Sequence, residues 1–249
     1  RFSGDSLPRS TVGDIVAIAD KIETLIGLFS IGEKPTGDKD PFALRRQVIG
    51  IIRILTEKNI GLNLNTVISE SIQATKLVES KDLNSFIYDR LSNFFKDQGY
   101  AALDIEAVLA IESGLINEIP PRLNAIKEFL LLSESEDLAS ANKRVGNILK
   151  KADVKSTLKV DQSLLKDDAE INLYKTLDLV DAESRKEYAA KNYSGSLKLL
   201  CKLKNPIDQF FKDVMVNAED ESLKMNRLAL LEKLYSAMNL VADLSKLSS

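Results

Sequence analysis

Apolar residues recur at helical spacing along nearly the whole chain, and this spacing restricts the fold more than any other feature. Near the N-terminus they form a stripe of Val12, Ile15, Val16, Ala19, Ile22 and Phe29. Later stripes include Val48, Ile51, Ile52 and Leu55, and then Leu83, Phe86, Ile87, Leu91, Phe94 and Phe95. Such steps of three, four and seven mark one face of a helix. Because no segment alternates with a period of two between hairpin turns, the pattern predicts an all-α protein.

Helix ends and a polar joint indicate how these helices are organised. Asp40-Pro41 and Asn205-Pro206 each place a capping side chain before a proline, which is typical of a helix start. Gly99 is a candidate for a helix C-terminus. The acidic run Ser133-Glu134-Ser135-Glu136-Asp137 separates two helical stretches. We therefore predict two helical modules, residues 1–133 and 134–249.

The absence of certain residue types excludes several classes of catalytic and metal site. The 249 residues contain no histidine and one cysteine, Cys201, which excludes Ser-His or Cys-His nucleophiles and His-ligated zinc within this chain. No two of the 11 glycines stand in a G-x-G spacing, which argues against a dinucleotide fingerprint. We therefore predict no catalytic residue, no metal site and no cofactor bound by this chain.

Two further expectations concern membranes and the chain start. No apolar run approaches the roughly 20 residues of a membrane helix, so we expect no membrane partner. The chain begins with Arg1 rather than methionine and without a signal peptide, so we expect it to be part of a longer protein.

Positive charge is concentrated in two stretches although the net charge is −3. The stretch from Asn142 to Lys159 contains one acidic residue, Asp153, and six basic ones, namely Lys143, Arg144, Lys150, Lys151, Lys155 and Lys159. The stretch from Arg185 to Lys204 again contains one acidic residue, Glu187, and six basic ones, namely Arg185, Lys186, Lys191, Lys198, Lys202 and Lys204. Such clusters suit a phosphate backbone, because binding releases counterions. On sequence alone a solvated helix face is the commoner explanation for such clusters.

A series of short sequence blocks is distributed along nearly the whole chain. The N-terminal blocks are Ala19-Asp20-Lys21-Ile22-Glu23-Thr24-Leu25 and Gly37-Asp38-Lys39-Asp40-Pro41-Phe42-Ala43-Leu44-Arg45-Arg46. Later blocks are Asp97-Gln98-Gly99-Tyr100, Ala141-Asn142-Lys143-Arg144-Val145 followed by Asn147-Ile148-Leu149, Pro206-Ile207-Asp208 and Asn226-Arg227-Leu228-Ala229-Leu230-Leu231. Together these blocks resemble the beta subunits of bacterial heterotetrameric glycyl-tRNA synthetases, and they follow the order of that family.

The resemblance implies a C-terminal part of such a subunit. The first module resembles the end of a region related to HD phosphohydrolases, together with the helices that follow it. The second resembles the helical anticodon-binding domain shared with arginyl-tRNA synthetase. The family implies a cytoplasmic holoenzyme that joins glycine to its tRNA with ATP and magnesium. The implied partners are glycine tRNA and the alpha subunit, which carries the catalytic core.

The same resemblance selects candidate tRNA contacts. Phosphate contacts are expected at Lys143, Arg144, Lys150, Lys151, Lys202 and Lys204. Asn226 and Arg227 lie in the C-terminal block and are also candidates. Arg227 falls on an apolar stripe, so pairing with Asp208 or Asp213 inside the domain is an alternative role.

Two rival functions stay open at this stage. The helices could hold the beta subunit together or dock the alpha subunit, with tRNA bound elsewhere. A residual HD-type phosphohydrolase is the second rival. Asp20 matches the final Asp of the HD motif, but this chain has no histidine to complete that metal site.

Overall fold

The computed structural model describes residues 6–152 and 159–248 of the chain. Within these ranges the regular elements are eleven α-helices and four short 3₁₀ helices. The only strand-like pairings there are two isolated bridges, Thr36 with Lys39 and Asn63 with Leu115. The prediction of an all-α protein is therefore confirmed.

The helices are distributed along the whole described sequence. In chain order they are α1 (Thr11–Ser30), α2 (Leu44–Glu57), α3 (Leu64–Thr75), α4 (Asp82–Asp97), α5 (Ala102–Leu109), α6 (Ile119–Phe129), α7 (Ser135–Ala152), α8 (Asp168–Ala189), α9 (Tyr193–Leu200), α10 (Lys204–Asp213) and α11 (Glu221–Met238). The 3₁₀ helices are Ile116–Glu118, Gln162–Leu164, Cys201–Leu203 and Leu244–Leu247.

The predicted helix boundaries are close to the observed ones, with small shifts. The α2 helix begins at Leu44, yet Asp40 still caps it by accepting hydrogen bonds from the Leu44 and Arg45 amides at 2.7 and 3.0 Å. Pro206 lies in the first turn of α10, where its missing N–H leaves no intrahelical bond unmade. The prediction that Asn205 caps this helix was wrong, because α10 already begins at Lys204. Gly99 follows the end of α4 with a φ of +85°, a conformation that glycine adopts without a Cβ penalty.

The chain divides into two compact units. The first is Arg1–Ile105 with Glu112–Pro120, and the second is Glu106–Ile111 with Pro121–Ser249. The predicted boundary between residues 133 and 134 stays a prediction about the domains of the family.

The first unit packs α1 through α4 around aliphatic and aromatic side chains such as Ile22, Ile52 and Phe95. The first part of the apolar stripe on α1 is exposed and does not pack into this core. Val12, Ile15 and Val16 are 70%, 62% and 61% exposed. At this end of α1 the buried position belongs to Asp14, whose carboxylate pairs with Lys58 at 2.8 Å.

The second unit contains α7 through α11. Helix α8 packs on α9 and α10, and α11 packs on α7 and α8. The core of this unit is apolar and fully enclosed at Leu173, Leu177, Leu197, Phe210, Leu231 and Met238. The C-terminal 3₁₀ helix Leu244–Leu247 lies against α7. This packing fixes which face of α7 points outward.

Candidate functional site

Helix α7 has one buried face and one polar, positively charged face. Leu138, Ala139, Asn142 and Val145 are buried. The outward face carries Lys143, Arg144, Asn147, Lys150 and Lys151, all exposed. Residues three or four apart share a helix face, so the alternation of apolar and basic residues in this segment places the charges together.

An open cavity of about 410 Å³ lies along this outward face. Its volume falls within the roughly 300–1,000 Å³ of typical ligand pockets. It is lined by Ser140, Lys143, Arg144, Asn147, Ile148, Lys151 and Ser248. Three predicted residues, Lys143, Arg144 and Lys151, therefore meet at one site. Lys150 is exposed on the same helix but does not line the cavity.

The guanidinium of Arg144 lies over the ring of Phe211, with its central carbon 3.9 Å from the ring centroid. Phe211 belongs to α10 and is half-buried, and its neighbour Phe210 is fully buried in edge contact with it. A cation above an aromatic ring is attracted by the ring quadrupole. Phe211 therefore orients Arg144 without neutralising its charge.

The cations on α7 keep their charge available to a ligand. Across residues 6–152 and 159–248, no acidic side chain forms an ion pair with Lys143, Arg144, Lys150 or Lys151. Lys155, predicted in the same basic stretch, lies outside the described residues. This face is thus a positively charged surface with little internal compensation.

The second basic stretch differs, because its cations are paired with acids. Lys202 contacts Glu183 at 3.1 Å, and Lys204 contacts Asp137 at 3.0 Å and Asp208 at 3.6 Å. The hydrogen bond and charge of Asp137 raise the pKa of Lys204 above its usual value, with a smaller effect from Asp208. Neither lysine lines the cavity on α7. The charge of this stretch is therefore largely balanced on the protein itself.

Arg227 lies inside the second unit and holds two helices together. Its Nε donates to Glu170 at 2.6 Å, and its terminal nitrogens donate to Asp167 and to the Met215 carbonyl, each at 2.8 Å. Burial alone raises the pKa of Glu170, but hydrogen bonds from Arg227 and the Asp167 and Lys166 amides outweigh it and leave the pKa below its usual value. The alternative prediction that Arg227 pairs inside the domain with Asp208 or Asp213 was wrong about the partners, which are Glu170 and Asp167.

Asn226 is likewise buried and structural in its contacts. Its side chain accepts a hydrogen bond from the Asp161 amide at 2.7 Å and donates one to the Asp161 carbonyl at 3.0 Å. It therefore joins α11 to the segment before α8. Asn226 and Arg227 are buried, so they do not belong to the exposed basic face of α7, and their contact with tRNA stays a prediction.

Several residues at the site were not predicted as site residues, although Asn147 and Ile148 stand in one of the family blocks. Asn147 follows Lys143 by four residues and Ile148 follows Arg144 by four, so helical spacing could have found both. Phe211 and Ser248 come from distant parts of the sequence, and no local pattern linked them to α7.

Metal-ligand clusters and membrane-spanning helices are both absent from residues 6–152 and 159–248. No group of three His, Cys, Asp or Glu side chains there is arranged to hold a metal ion, and Asp20 lies exposed on α1. None of the described helices combines the length and the apolar character needed to span a bilayer.

Comparison with known proteins gives two family matches. Residues 1–110 match the family model described as glycyl-tRNA synthetase beta subunit. Residues 138–244 match the model described as DALR anticodon binding domain. The second match contains every α7 residue that lines the cavity, and it also contains Phe211. Ser248, the remaining lining residue, follows the end of the match.

Curated relatives agree with these matches over the full chain. The chain is 53% identical over 254 residues to the glycine-tRNA ligase beta subunit of Methylobacillus flagellatus. It is 46% identical over 267 residues to that of Nitrosomonas europaea, and 49% identical over 252 residues to that of a Janthinobacterium species. Each match covers 100% of this chain but only 36% or 37% of the relative. The chain thus spans a little over a third of these relatives, and it belongs to the glycyl-tRNA synthetase beta subunit family.

Proposed function

We propose that this chain is the tRNA-binding, anticodon-recognising part of a glycine-tRNA ligase beta subunit. The observation that carries the proposal is the outward face of α7, where Lys143, Arg144, Lys150 and Lys151 have no acidic partner among the described residues. This face lies within the segment that matches an anticodon-binding domain. Its free cations suit the phosphates of a tRNA loop.

The energetic reason is the release of counterions from RNA. Each phosphate that a lysine or arginine neutralises frees condensed counterions, and binding then weakens as salt rises. A cation already paired with a carboxylate gains less, because the new contact must compete with the old one. We therefore expect the α7 lysines to contribute more than Lys202 and Lys204.

In the holoenzyme this chain would bind tRNA, and the alpha subunit would carry out the chemistry. ATP and magnesium would serve the attachment of glycine, a reaction that belongs to the cytoplasm. The described residues bring together no metal-ligand set, and the sequence has no phosphate-binding glycine loop. We therefore assign these residues no step of adenylate formation.

A second candidate function is protein docking by the first unit. The exposed apolar side chains Val12, Ile15 and Val16 on α1 favour it, because exposed apolar clusters mark interaction sites. In that case the helices would serve assembly of the synthetase, and tRNA would be contacted elsewhere. An Ile15→Glu variant that loses subunit assembly while tRNA variants behave like the parent would support this candidate.

The proposed function is tested with two matched double variants of the full-length beta subunit, assembled with its alpha subunit. We expect K143A/K151A to weaken binding of glycine tRNA and to reduce the slope of log affinity against log salt by about 0.7–0.9 per lost contact. K202A/K204A removes the same charge from ion-paired positions, and we expect a smaller change in slope. Binding by K143A/K151A with the parent's affinity and slope would contradict the proposal.

A further inference from the structure

We propose that the cavity on α7 binds one unstacked nucleobase of the tRNA, stacked on the guanidinium of Arg144. This inference rests on the proposed function and assigns different parts of a nucleotide to different side chains. Arg144 and Asn147 would contact the base, whereas Lys143 and Lys151 would contact the phosphates beside it.

The first observation is the stack of Arg144 on Phe211. With its central carbon 3.9 Å from the ring centroid, the guanidinium has one face covered by the Phe211 ring. Arg144 is exposed and also lines the cavity, and we place the base against the guanidinium face that lies opposite Phe211. Single-stranded RNA bases stack on guanidinium planes as well as on aromatic rings. Phe211 thereby holds a flat, charged platform at the cavity.

The second observation is the mixture of groups around that platform. Ile148 contributes an apolar side chain, and Asn147 and Ser140 contribute polar ones. No hydrogen bond to the Asn147 side chain occurs within residues 6–152 and 159–248, so its amide can both donate and accept. An amide with both capacities can pair with a base edge that offers a donor beside an acceptor, whereas a lysine can only donate.

The third observation is the spacing of Lys143 and Lys151. They lie eight residues apart on α7, about 12 Å along the helix axis, with Asn147 halfway between them. Their long side chains can therefore reach phosphates on both sides of a base that enters the cavity at Asn147. The order lysine, asparagine, lysine along α7 therefore matches a phosphate, a base and a second phosphate along an RNA strand.

The experiment compares single variants of the full-length beta subunit, assembled with its alpha subunit, on glycine tRNA transcripts. The probes are the parent transcript and transcripts in which each anticodon-loop base is replaced in turn. We expect N147A to raise the Kd of the parent transcript about tenfold and to reduce discrimination at one loop position, with the salt slope unchanged.

Two further variants test the platform. F211L removes the ring and should raise the Kd about tenfold for transcripts with any base at that position, because stacking tolerates all bases. F211Y keeps the ring and should restore binding. N217A changes an exposed asparagine outside the cavity and should bind like the parent. K143A should weaken all transcripts equally and lower the salt slope.

The possible outcomes separate this inference from the proposed function. If N147A and F211L bind every transcript like the parent while K143A/K151A binds weakly, the base site is overturned and the phosphate-binding face stands. If K143A/K151A also binds like the parent, the proposed function itself fails. Titration with free nucleoside monophosphates forms a separate arm. Binding of one of them that depends on Asn147, without any effect on tRNA, would overturn the inference in favour of a mononucleotide site.

Discussion

The side chains of Asn142 and Asn239 exchange two amide hydrogen bonds in the second unit. The Asn142 Nδ2 donates to the Asn239 Oδ1 at 2.7 Å, and the Asn239 Nδ2 donates back to the Asn142 Oδ1 at 3.2 Å. The Asn239 Oδ1 also accepts from the Leu244 amide at 3.0 Å. Asn239 thus connects α7, the end of α11 and the start of the 3₁₀ helix Leu244–Leu247, which precedes Ser248 at the cavity.

Replacing Asn142 with Ala should destabilise this connection. Asn142 is fully buried, and its loss removes hydrogen bonds in a place that water does not reach. We expect a loss of about 1–3 kcal/mol in the free energy of unfolding, with faster amide exchange at residues 244–247. N147A is the matched control on the same helix, since an exposed substitution should change stability by less than about 0.5 kcal/mol. Equal exchange rates in the two variants would refute the role of Asn142.

Gly114 in the first unit should not tolerate a side chain. Its φ is +72°, and a Cβ there would lie 2.4 Å from the Oδ1 of Asn63. Asn63 cannot move freely, because that oxygen caps α3 through the Thr66 amide at 3.0 Å. We expect Gly114→Ala to lower the free energy of unfolding by about 1–3 kcal/mol, from backbone strain and the disturbed cap.

Gly27 provides the opposite case for the same substitution. It lies inside α1, and an added Cβ would have no neighbour within 4 Å. Alanine loses less backbone entropy in a helix, so Gly27→Ala should stabilise the chain by up to about 1 kcal/mol. Urea denaturation of both variants, followed by circular dichroism, measures the two effects. A stabilising Gly114→Ala change would show that the Asn63 contact is not restrictive.

The ion pair of Glu170 with Arg227 should make stability depend on acidic pH. The pKa of Glu170 is lower in the folded chain than its ordinary value of 4.5. Its contribution is therefore complete above about pH 4.5 and is lost as the pH falls further, through the folded-state pKa. Glu170→Gln should cost about 3 kcal/mol at pH 7, because the buried charge of Arg227 loses the buried one of its two acidic partners and keeps only the half-buried Asp167.

The two pH profiles distinguish this ion pair from general acid effects. Between pH 7 and pH 3.5 the parent should lose more stability than Glu170→Gln, which has no carboxylate to protonate at that position. Asp168→Asn is the matched control, since it removes an exposed acid from the same first turn of α8. If Glu170→Gln and the parent show parallel profiles, the ion pair does not contribute in this way.

The thiol of Cys201 should react slowly while the chain is folded. Partial burial raises its pKa above 9.0, and the charge of Glu134 adds to the shift. Because the thiolate is the reactive form, alkylation by iodoacetamide at pH 8 should be severalfold slower than in 6 M urea. Mass spectrometry of the peptide containing Cys201 measures both rates. Equal rates in the two conditions would contradict the raised pKa.

The sequence by itself determined the helical class and the family of this protein. Helical periodicity is a local property, so stripes such as Ile51, Ile52 and Leu55 predicted α2 without knowledge of its neighbours. Caps such as Asp40 act over four or five residues and were also predictable. The family blocks, which occur in order along the chain, identified the family, and the comparisons confirm it.

Only the tertiary structure decided which charged residues are available to a ligand. Lys204 is balanced by Asp137, which is 67 positions earlier, and Arg227 by Glu170, which is 57 positions earlier. Phe211 reaches Arg144 from another helix, and packing of the helices leaves Val12 and Ile15 exposed in spite of their helical spacing. Periodicity specifies the face of a helix on which a side chain lies. The partner opposite that face depends on contacts between distant segments, because ion pairing and burial form only when the helices pack.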